Sequence, residues 1–395
     1  MTTPTADTVQ LPVTAAAEIP IEYATQWQLI RRQFAKHRLA VIAGYTLIVL
    51  YLLAAFVEIF APYPTQWKEL GHLYAPPQLP RWSLSHGLHV YAVKRHVDPI
   101  TYRNSYIEAT DEIIRLSFFA KGEAYDLWEL IPWDRHFIGV DLEEYEELWL
   151  ESGRGGGGEE MPIPTFYLLG ADKYGGDLFS RILYGTRVSL SVGIVGILLM
   201  FILGITIGGI SGYAGGKTDL YIQRVIEITD AFPKLPLWIA CAAIMPPDWS
   251  PVRVYFGITI VLGVLGWTTL ARVVRGKILS LREEDYAVAA QLLGANHSRI
   301  LFRHLVPGFT SHIIVSLTLS VPVMILGETS LSFLGMGLRP PAVSWGVLLQ
   351  DCMNLQAVGQ YPWLLLPVVF VVITVLGFNF LGDGMRDAAD PYSSK

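Results

Sequence analysis

The sequence predicts an all-α polytopic membrane protein of six transmembrane helices, with a β-rich extracytoplasmic insert between the first two. Three observations predict it. The 395 residues are 52% hydrophobic and only 16% charged, a balance unlike that of soluble globular chains. Val188 to Ile210, "VSLSVGIVGILLMFILGITIGGI", is 23 residues without a charge, enough for a helix to cross a hydrocarbon layer of about 30 Å. The basic residues, finally, concentrate in alternate connections between such runs, as the positive-inside bias requires.

The N-terminal segment, 1–38, ends on the basic residues Arg31, Arg32, Lys36 and Arg38, which hold it in the cytoplasm. The first span, Leu39 to Ala61, follows directly. Because some 30 polar residues precede it, no cleavable signal peptide is expected and the span itself is the anchor. The uncharged run is the second span, and further apolar runs lie at Val254 to Ala271, Gly308 to Gly327 and Tyr361 to Gly382. Hydropathy alone thus gives five. Between the second and third lies "TDLYIQRVIEITDAFPKLPLWIACAAIMP", 218–246, whose charges and prolines exclude it from that count. If it did not cross, Arg272, Arg275, Lys277, Arg282, Arg299 and Arg303 would lie outside. Counting it as a span places them, and both termini, in the cytoplasm. The helical core then occupies 181–385, and 386–395 is a cytoplasmic tail.

In the added span Arg224, Glu227, Asp230 and Lys234 fall on one helical stripe and are expected to pair with one another. Two roles remain open for it: an ion-paired cytoplasmic face, or a polar surface turned to a translocation path or a partner subunit. Glu328, in the fifth span, serves either interhelical hydrogen bonding or a partner helix and a watered path.

The insert, 62–180, carries 19 acidic against 10 basic side chains, and so holds the whole acidic excess of a chain whose net charge is −6. "IIRLSFFAKG" (113–122) and "AYDLWELIPW" (124–133) read as short strands joined at Gly122-Glu123. "ESGRGGGGEE" (151–160) has nothing to bury and reads as a flexible loop. His86, His89 and His96 lack regular ligand spacing and read as surface histidines, so no metal is expected. Cys241 and Cys352 are too few for a disulfide framework or a metal cage.

"SGYAGGKTD", 211–219, ends like a phosphate-binding P-loop. Ser211, however, stands where the loop requires glycine, and a membrane span precedes it where a strand is needed. It reads as a glycine-rich turn between two helices. The chain has no His-Glu-x-x-His, no Gly-x-Ser-x-Gly and no Asp-rich magnesium cluster, so neither a catalytic residue nor a bound cofactor is expected. The most informative stretch is cytoplasmic: "LREEDYAVAAQLLGANHSRILFRHLVPG", 281–308. Tyr286, Ala289, Ala290 and Leu293 fall at i, i+3, i+4 and i+7, a small apolar face. Gly294 breaks the helix, Asn296 caps the next, and Pro307 ends that one. The result is a knob whose alanines allow close approach by another protein; from the residues alone, an amphipathic helix on the lipid surface is the alternative.

This stretch resembles the "EAA" coupling loop of ATP-binding cassette importer permeases. Ala289, Ala290, Gly294 and Pro307 match, Val306 takes the Leu position, and Val288 stands where the family has Glu, so no polar contact through that residue is carried over. "LLGADKYGGDLFSRILYGTRVSLSVG" (168–193), "LSFLGMGLRPPAVSWGVLL" (331–349) and "LGFNFLGDGMRDAADP" (376–391) narrow the resemblance to the C-type subunit of the dipeptide/oligopeptide permeases. In the first, Ala171 and Gly176 replace the family's Thr and Arg; "SGYAGGKTD" is similar to the family's Ala-Gly-Tyr-x-Gly-Gly-x-x-Asp turn.

The resemblance implies the type I importer permease fold in a bacterial inner membrane. It also implies a paired B-type permease subunit, two cytoplasmic subunits that bind ATP and Mg, and an extracytoplasmic solute-binding protein, with no nucleic-acid partner. It assigns Tyr286, Ala289, Ala290, Leu293, Gly294, Ala295, Arg299, His304 and Pro307 to ATPase docking, and Glu328 matches a Glu common at its place in the family. Glu328 and, from the stripe, Glu227 and Asp230 are the candidates for the path or the subunit interface. The insert either receives the binding protein through an acidic surface at Glu143, Glu144, Glu146 and Glu147 or serves as a passive lid. The competing classes are an ion-coupled secondary transporter and a membrane-anchored receptor acting through its insert.

Overall fold

The computed structural model describes residues 26–100, 104–128, 130–140, 142–151 and 164–389. In chain order the helices are α1 (Gln26–Lys36), α2 (Arg38–Ala55), α3 (Val57–Phe60), α4 (Leu142–Glu151), α5 (Leu178–Ala214), α6 (Gly216–Ala231), α7 (Lys234–Ala243), α8 (Pro251–Leu281), α9 (Asp285–Leu292), α10 (His297–Arg299), α11 (Thr310–Phe333), α12 (Trp345–Leu349), α13 (Leu355–Gln360) and α14 (Leu366–Ala389). Among the described residues five helical stretches are long and apolar enough to cross a membrane: Arg38–Ala55, Leu178–Ala214, Pro251–Leu281, His297–Phe333 and Pro362–Ala389. Each contains or closely overlaps a run recognised in the sequence.

The expected additional span is not one helix. Phe232 is extended, because the ring of Pro233 disfavours a helical conformation in the residue before it, and the chain breaks into α6 and α7 there. Nor does the Arg224 to Lys234 stripe pair as a unit. Arg224 and Glu227 form an exposed pair at 2.7 Å, whereas Asp230 turns to α8 and meets Arg272 and the Thr268 hydroxyl. Arg272 and Arg275, expected in a loop, lie on α8, which runs on to Leu281.

The centre of the bundle is the seam between α5 and α8. Gly204, Gly208 and Gly212 recur every fourth residue and so share one face of α5. A Cβ on Gly208 would lie 2.5 Å from the carbonyl oxygen of Ala271, and one on Gly212 2.8 Å from that of Arg275. Only hydrogen fits between these backbones. The main core gathers residues of α5, α8 and α11, including Met200, Leu262, Leu270, Ile278 and Leu331; a second, around Leu47, Val321, Ile325, Trp345 and Phe378, joins α2, α11 and α14.

The region between α3 and α5 holds five strands: β1 (Arg81–Ser83), β2 (Gly87–Val97), β3 (Asn104–Arg115), β4 (Ser117–Leu127) and β5 (Ile131–Gly139). The first three form an antiparallel meander, and β4 and β5 a separate hairpin. The expected turn at Gly122-Glu123 is instead a bulge within β4. The imidazole of His136, on β5, occupies the space beside Gly122, 2.7 Å from where a Cβ would stand, so this glycine serves close cross-strand approach. The hairpin reverses between Leu127 and Ile131. His86 and His89 touch ring to ring at 5.9 Å, while His96 lies toward the far end of β2; no three potential metal ligands cluster among the described residues. Most of the glycine-rich 151–160 stretch lies outside the described residues.

Candidate functional site: the knob and its supports

The knob begins where α8 ends. Asp285 to Leu292 makes just over two turns, and Gly294 follows with φ +81°, a left-handed conformation that side chains with a Cβ disfavour. Nothing lies within 4 Å of the place its Cβ would take. The glycine is therefore required by backbone conformation, not by a neighbour. Asn296 then caps the next segment, its Oδ1 accepting from the Arg299 amide at 2.8 Å, as its residue type favours.

Pro307 does not end that segment. The chain winds as a π-helix over Ile300–Leu305, tightens to a 3-10 turn over Val306–Phe309 and continues into α11. A proline has no amide to donate and its ring crowds the preceding turn; the wider and then tighter winding accommodates both.

The knob divides its residues between inside and outside differently from the expected stripe. Ala287 is buried, and Ala290 and Ala295 pack against the main core with Ile300, Leu301 and Leu305. Ala290 is thus a contact within the chain. The outward face is Tyr286, Val288, Ala289, Leu292 and Leu293, the last two 83% and 89% exposed. Arg299 is exposed and His304 half-buried. Tyr286, Ala289 and Leu293 of the expected face are outward, Ala290 turns inward, and Val288 and Leu292, which the i, i+3, i+4 stripe left out, complete the outward face.

Behind the knob a groove of 740 Å³ is lined by Tyr213, Arg282, Gln291, His297 and Phe302, among others. Its walls are tied to α5: Arg282 donates to the Gly212 carbonyl at 3.2 Å, and His297 meets the Tyr213 hydroxyl at 3.1 Å. Beside it, Asp219 at the start of α6 takes a two-pronged contact from Arg275, 2.6 Å at each oxygen. Ser211, which disqualified the P-loop, donates to Asp219 at 2.5 Å. Asp219 and Arg275 went unrecognised as a pair since 56 residues separate them.

Glu227 is exposed beside Arg224. Glu328 has no exposed surface. Its carboxylate accepts from the hydroxyls of Ser332 at 2.8 Å, Ser344 at 2.7 Å and Ser189 at 3.3 Å, while Ser189 also accepts from the Trp345 amide at 3.2 Å. It fastens the 334–345 connection to α5 and α11. Within this chain Glu328 faces neither an open path nor a subunit surface, and of its two expected roles its geometry has the form of interhelical hydrogen bonding. On α4, Glu143 pairs with Lys121 and Glu144 with Arg115; Glu146 and Glu147 are exposed.

Residues 204–394 match the family described as the binding-protein-dependent transport system inner membrane component. Residues 25–77 match the N-terminal transmembrane domain of oligopeptide transport permease C. The oligopeptide transport system permease protein OppC of Bacillus subtilis (strain 168) is 41% identical over 233 residues, 59% of this chain and 74% of its own length. The chain belongs to the C-type permeases of the dipeptide/oligopeptide family. The permease is also 37% identical to the dipeptide transport system permease protein DppC of the same organism, over 59% of this chain and 71% of that one. To the glutathione transport system permease protein GsiD of Pectobacterium atrosepticum it is 39% identical, over 56% and 72%. Against a solved structure, the MetNI methionine ABC transporter in inward-facing conformations, the TM-score is 0.38 at 15% identity, covering 53% of the permease and 96% of that chain, a likeness too slight to carry an argument. The knob and the motif-bearing stretches at 211–219, 331–349 and 376–391 fall inside residues 204–394, while that at 168–193 lies outside both matched ranges.

Proposed function

We propose that the chain is a membrane-spanning permease subunit of an ATP-driven importer of peptides or similar small solutes, and that it transmits ATP-driven motion through the knob at 281–307. The observation that carries this is the family membership, since permeases with the matching names serve oligopeptide and dipeptide transport systems. In this reading α6 and α7 together make the third of six crossings. They run from Gly216 to Ala243, about 42 Å if straight, more than the roughly 30 Å required. Both termini are then cytoplasmic, and the strands of 81–139 lie outside.

The chain's own contribution is positioning. Tyr286, Ala289, Leu292 and Leu293 present an apolar face to a groove on an ATPase subunit, which holds the ATP and Mg; Gly294, Ala295, Arg299, His304 and Pro307 shape the turn behind that face. Ala290 couples the face to the core of α5, α8 and α11, so displacement of the knob is passed to the spanning helices. A B-type permease subunit completes the pore, with the exposed Glu227 of α6 on the side that meets it, while Asp230 holds α6 to α8. Exposed Glu146 and Glu147 contribute to docking of the solute-binding protein.

Reconstitution tests the reading. The chain, co-expressed with a B-type permease and two ATPases, is expected to take up labelled peptide only with ATP and the binding protein. Peptide uptake by the chain alone under a proton or sodium gradient would replace it with the secondary-transporter reading.

A further inference from the structure

Near its turn the β4–β5 hairpin carries an outward apolar surface that the bundle leaves uncovered: Trp128, Leu130, Ile131 and Trp133 are each at least 46% exposed, Leu130 at the turn 79%. Its position along the first span gives that surface a depth. α2 ends at Ala55, leaving carbonyls without helical partners. The Trp128 indole, at the hairpin turn, donates to the Ala55 carbonyl at 2.7 Å. From α5, Arg187 donates to the carbonyls of Ala54 at 2.7 Å and Ala55 at 3.0 Å, and pairs with Glu58 through both carboxylate oxygens.

Arg187 immediately precedes the uncharged run that starts at Val188, so two helices independently place Ala54, Ala55 and Trp128 at the edge of the hydrocarbon. The direction of the hairpin is fixed as well. Phe137 contacts Phe60 at 5.4 Å between ring centroids, and Trp128 contacts Phe56 at the same separation. From Phe60 to Phe56 the helix runs toward the bilayer, and the hairpin runs beside it, turn foremost. Aromatic and aliphatic side chains at that level match the amphipathic boundary zone, where indoles are favoured.

We infer that the β4–β5 hairpin is a lipid-contacting anchor, with Trp128, Leu130 and Ile131 at its tip inserted in the interfacial layer of the outer leaflet beside the first span. The inference rests on Arg38–Ala55 being a span. It gives the insert a role that soluble β-structure would not need, since a hairpin seated in the interface fixes the insert against the membrane plane.

Nitroxide accessibility in vesicles of phosphatidylethanolamine and phosphatidylglycerol tests it. The full chain with Cys241→Ser and Cys352→Ser is labelled at Leu130→Cys and, separately, at Ile48→Cys on the exposed side of α2. The anchor predicts that the label at 130 collides several-fold more often with oxygen than with a water-soluble nickel chelate, though less selectively than the label at 48. Preference for the chelate at 130, with 48 in lipid, would place the hairpin in water and overturn the inference. Poor access to both reagents would mean that protein covers the turn, which overturns it equally. Chelate access at 48 would remove the span itself, and the anchor with it.

Discussion

The α5–α8 seam and the knob that follows it both depend on small residues, for opposite reasons. In the seam, Gly208 is small because the backbone of Ala271 already occupies the space a side chain would need. At Gly294 the space is empty and the constraint is φ +81°. A contact fixes the first and a conformation the second. The surroundings differ accordingly: the seam is closed to everything but its own two helices, while the knob sets Leu292 and Leu293 into the open. The seam can be understood from one chain, whereas the role proposed for the knob needs a second.

Substitution should separate the two. Gly208→Leu strikes backbone that cannot move without parting α5 from α8, and should destabilise the folded chain by about 3 kcal/mol or more, seen as loss of a monodisperse peak in detergent. A normal melting temperature for this variant would erase the contrast. Leu292→Glu combined with Leu293→Glu should leave that melting temperature unchanged and weaken ATPase association by roughly thirtyfold or more, about 2 kcal/mol, the scale of interface hot spots; co-purification at graded salt would measure it. Gly294→Val should cost about 1–2 kcal/mol, confined to the knob. Gly294→Asn should recover much of the coupling, as Asn tolerates the left-handed region; equal failure of both would mean that Gly294 is itself a contact.

The smallest effect belongs to the insert. Burial holds His72 below its usual value of 6.5, the Val93 carbonyl and Thr165 hydroxyl each lying 3.2 Å from its ring. The folded state therefore favours the neutral ring. Stability is full above pH 6.5 and declines as pH falls below it toward the lowered folded value. Thermal melts followed by tryptophan fluorescence at about pH 7.5 and about pH 5.5, either side of that value, should show a small acid loss that His72→Gln abolishes.

The long apolar runs were legible because crossing a bilayer demands length and uniform character, and both are local. The glycine turn at 215–216 and the Asn296 cap were legible for the same reason. Three features were not. The break at Phe232-Pro233 hid behind a parity argument that treats a crossing as one helix. The hairpin turn was sought at Gly122, where the glycine answers to His136 across the strand. On α9 the sequence stripe kept Ala290 on the outward face and left out Val288 and Leu292, since two turns of alanine-rich helix bury whichever residues meet Ile300 and Leu301. The first of these is local, a proline and the residue before it; in the other two the outcome turned on more than the local pattern of residues, as it does for Glu328, whose partners Ser189 and Ser344 lie on other elements.

A photo-crosslinking amino acid placed at position 293 in intact membranes, with the transport partners present, tests the central claim most directly. Docking through the outward face of the knob predicts an adduct between this 43.9 kDa chain and an ATPase subunit, whose yield changes on ATP binding, while the same group at the buried position 287 gives none. An adduct with lipid alone at 293, in membranes where binding protein still stimulates ATP hydrolysis, would contradict it.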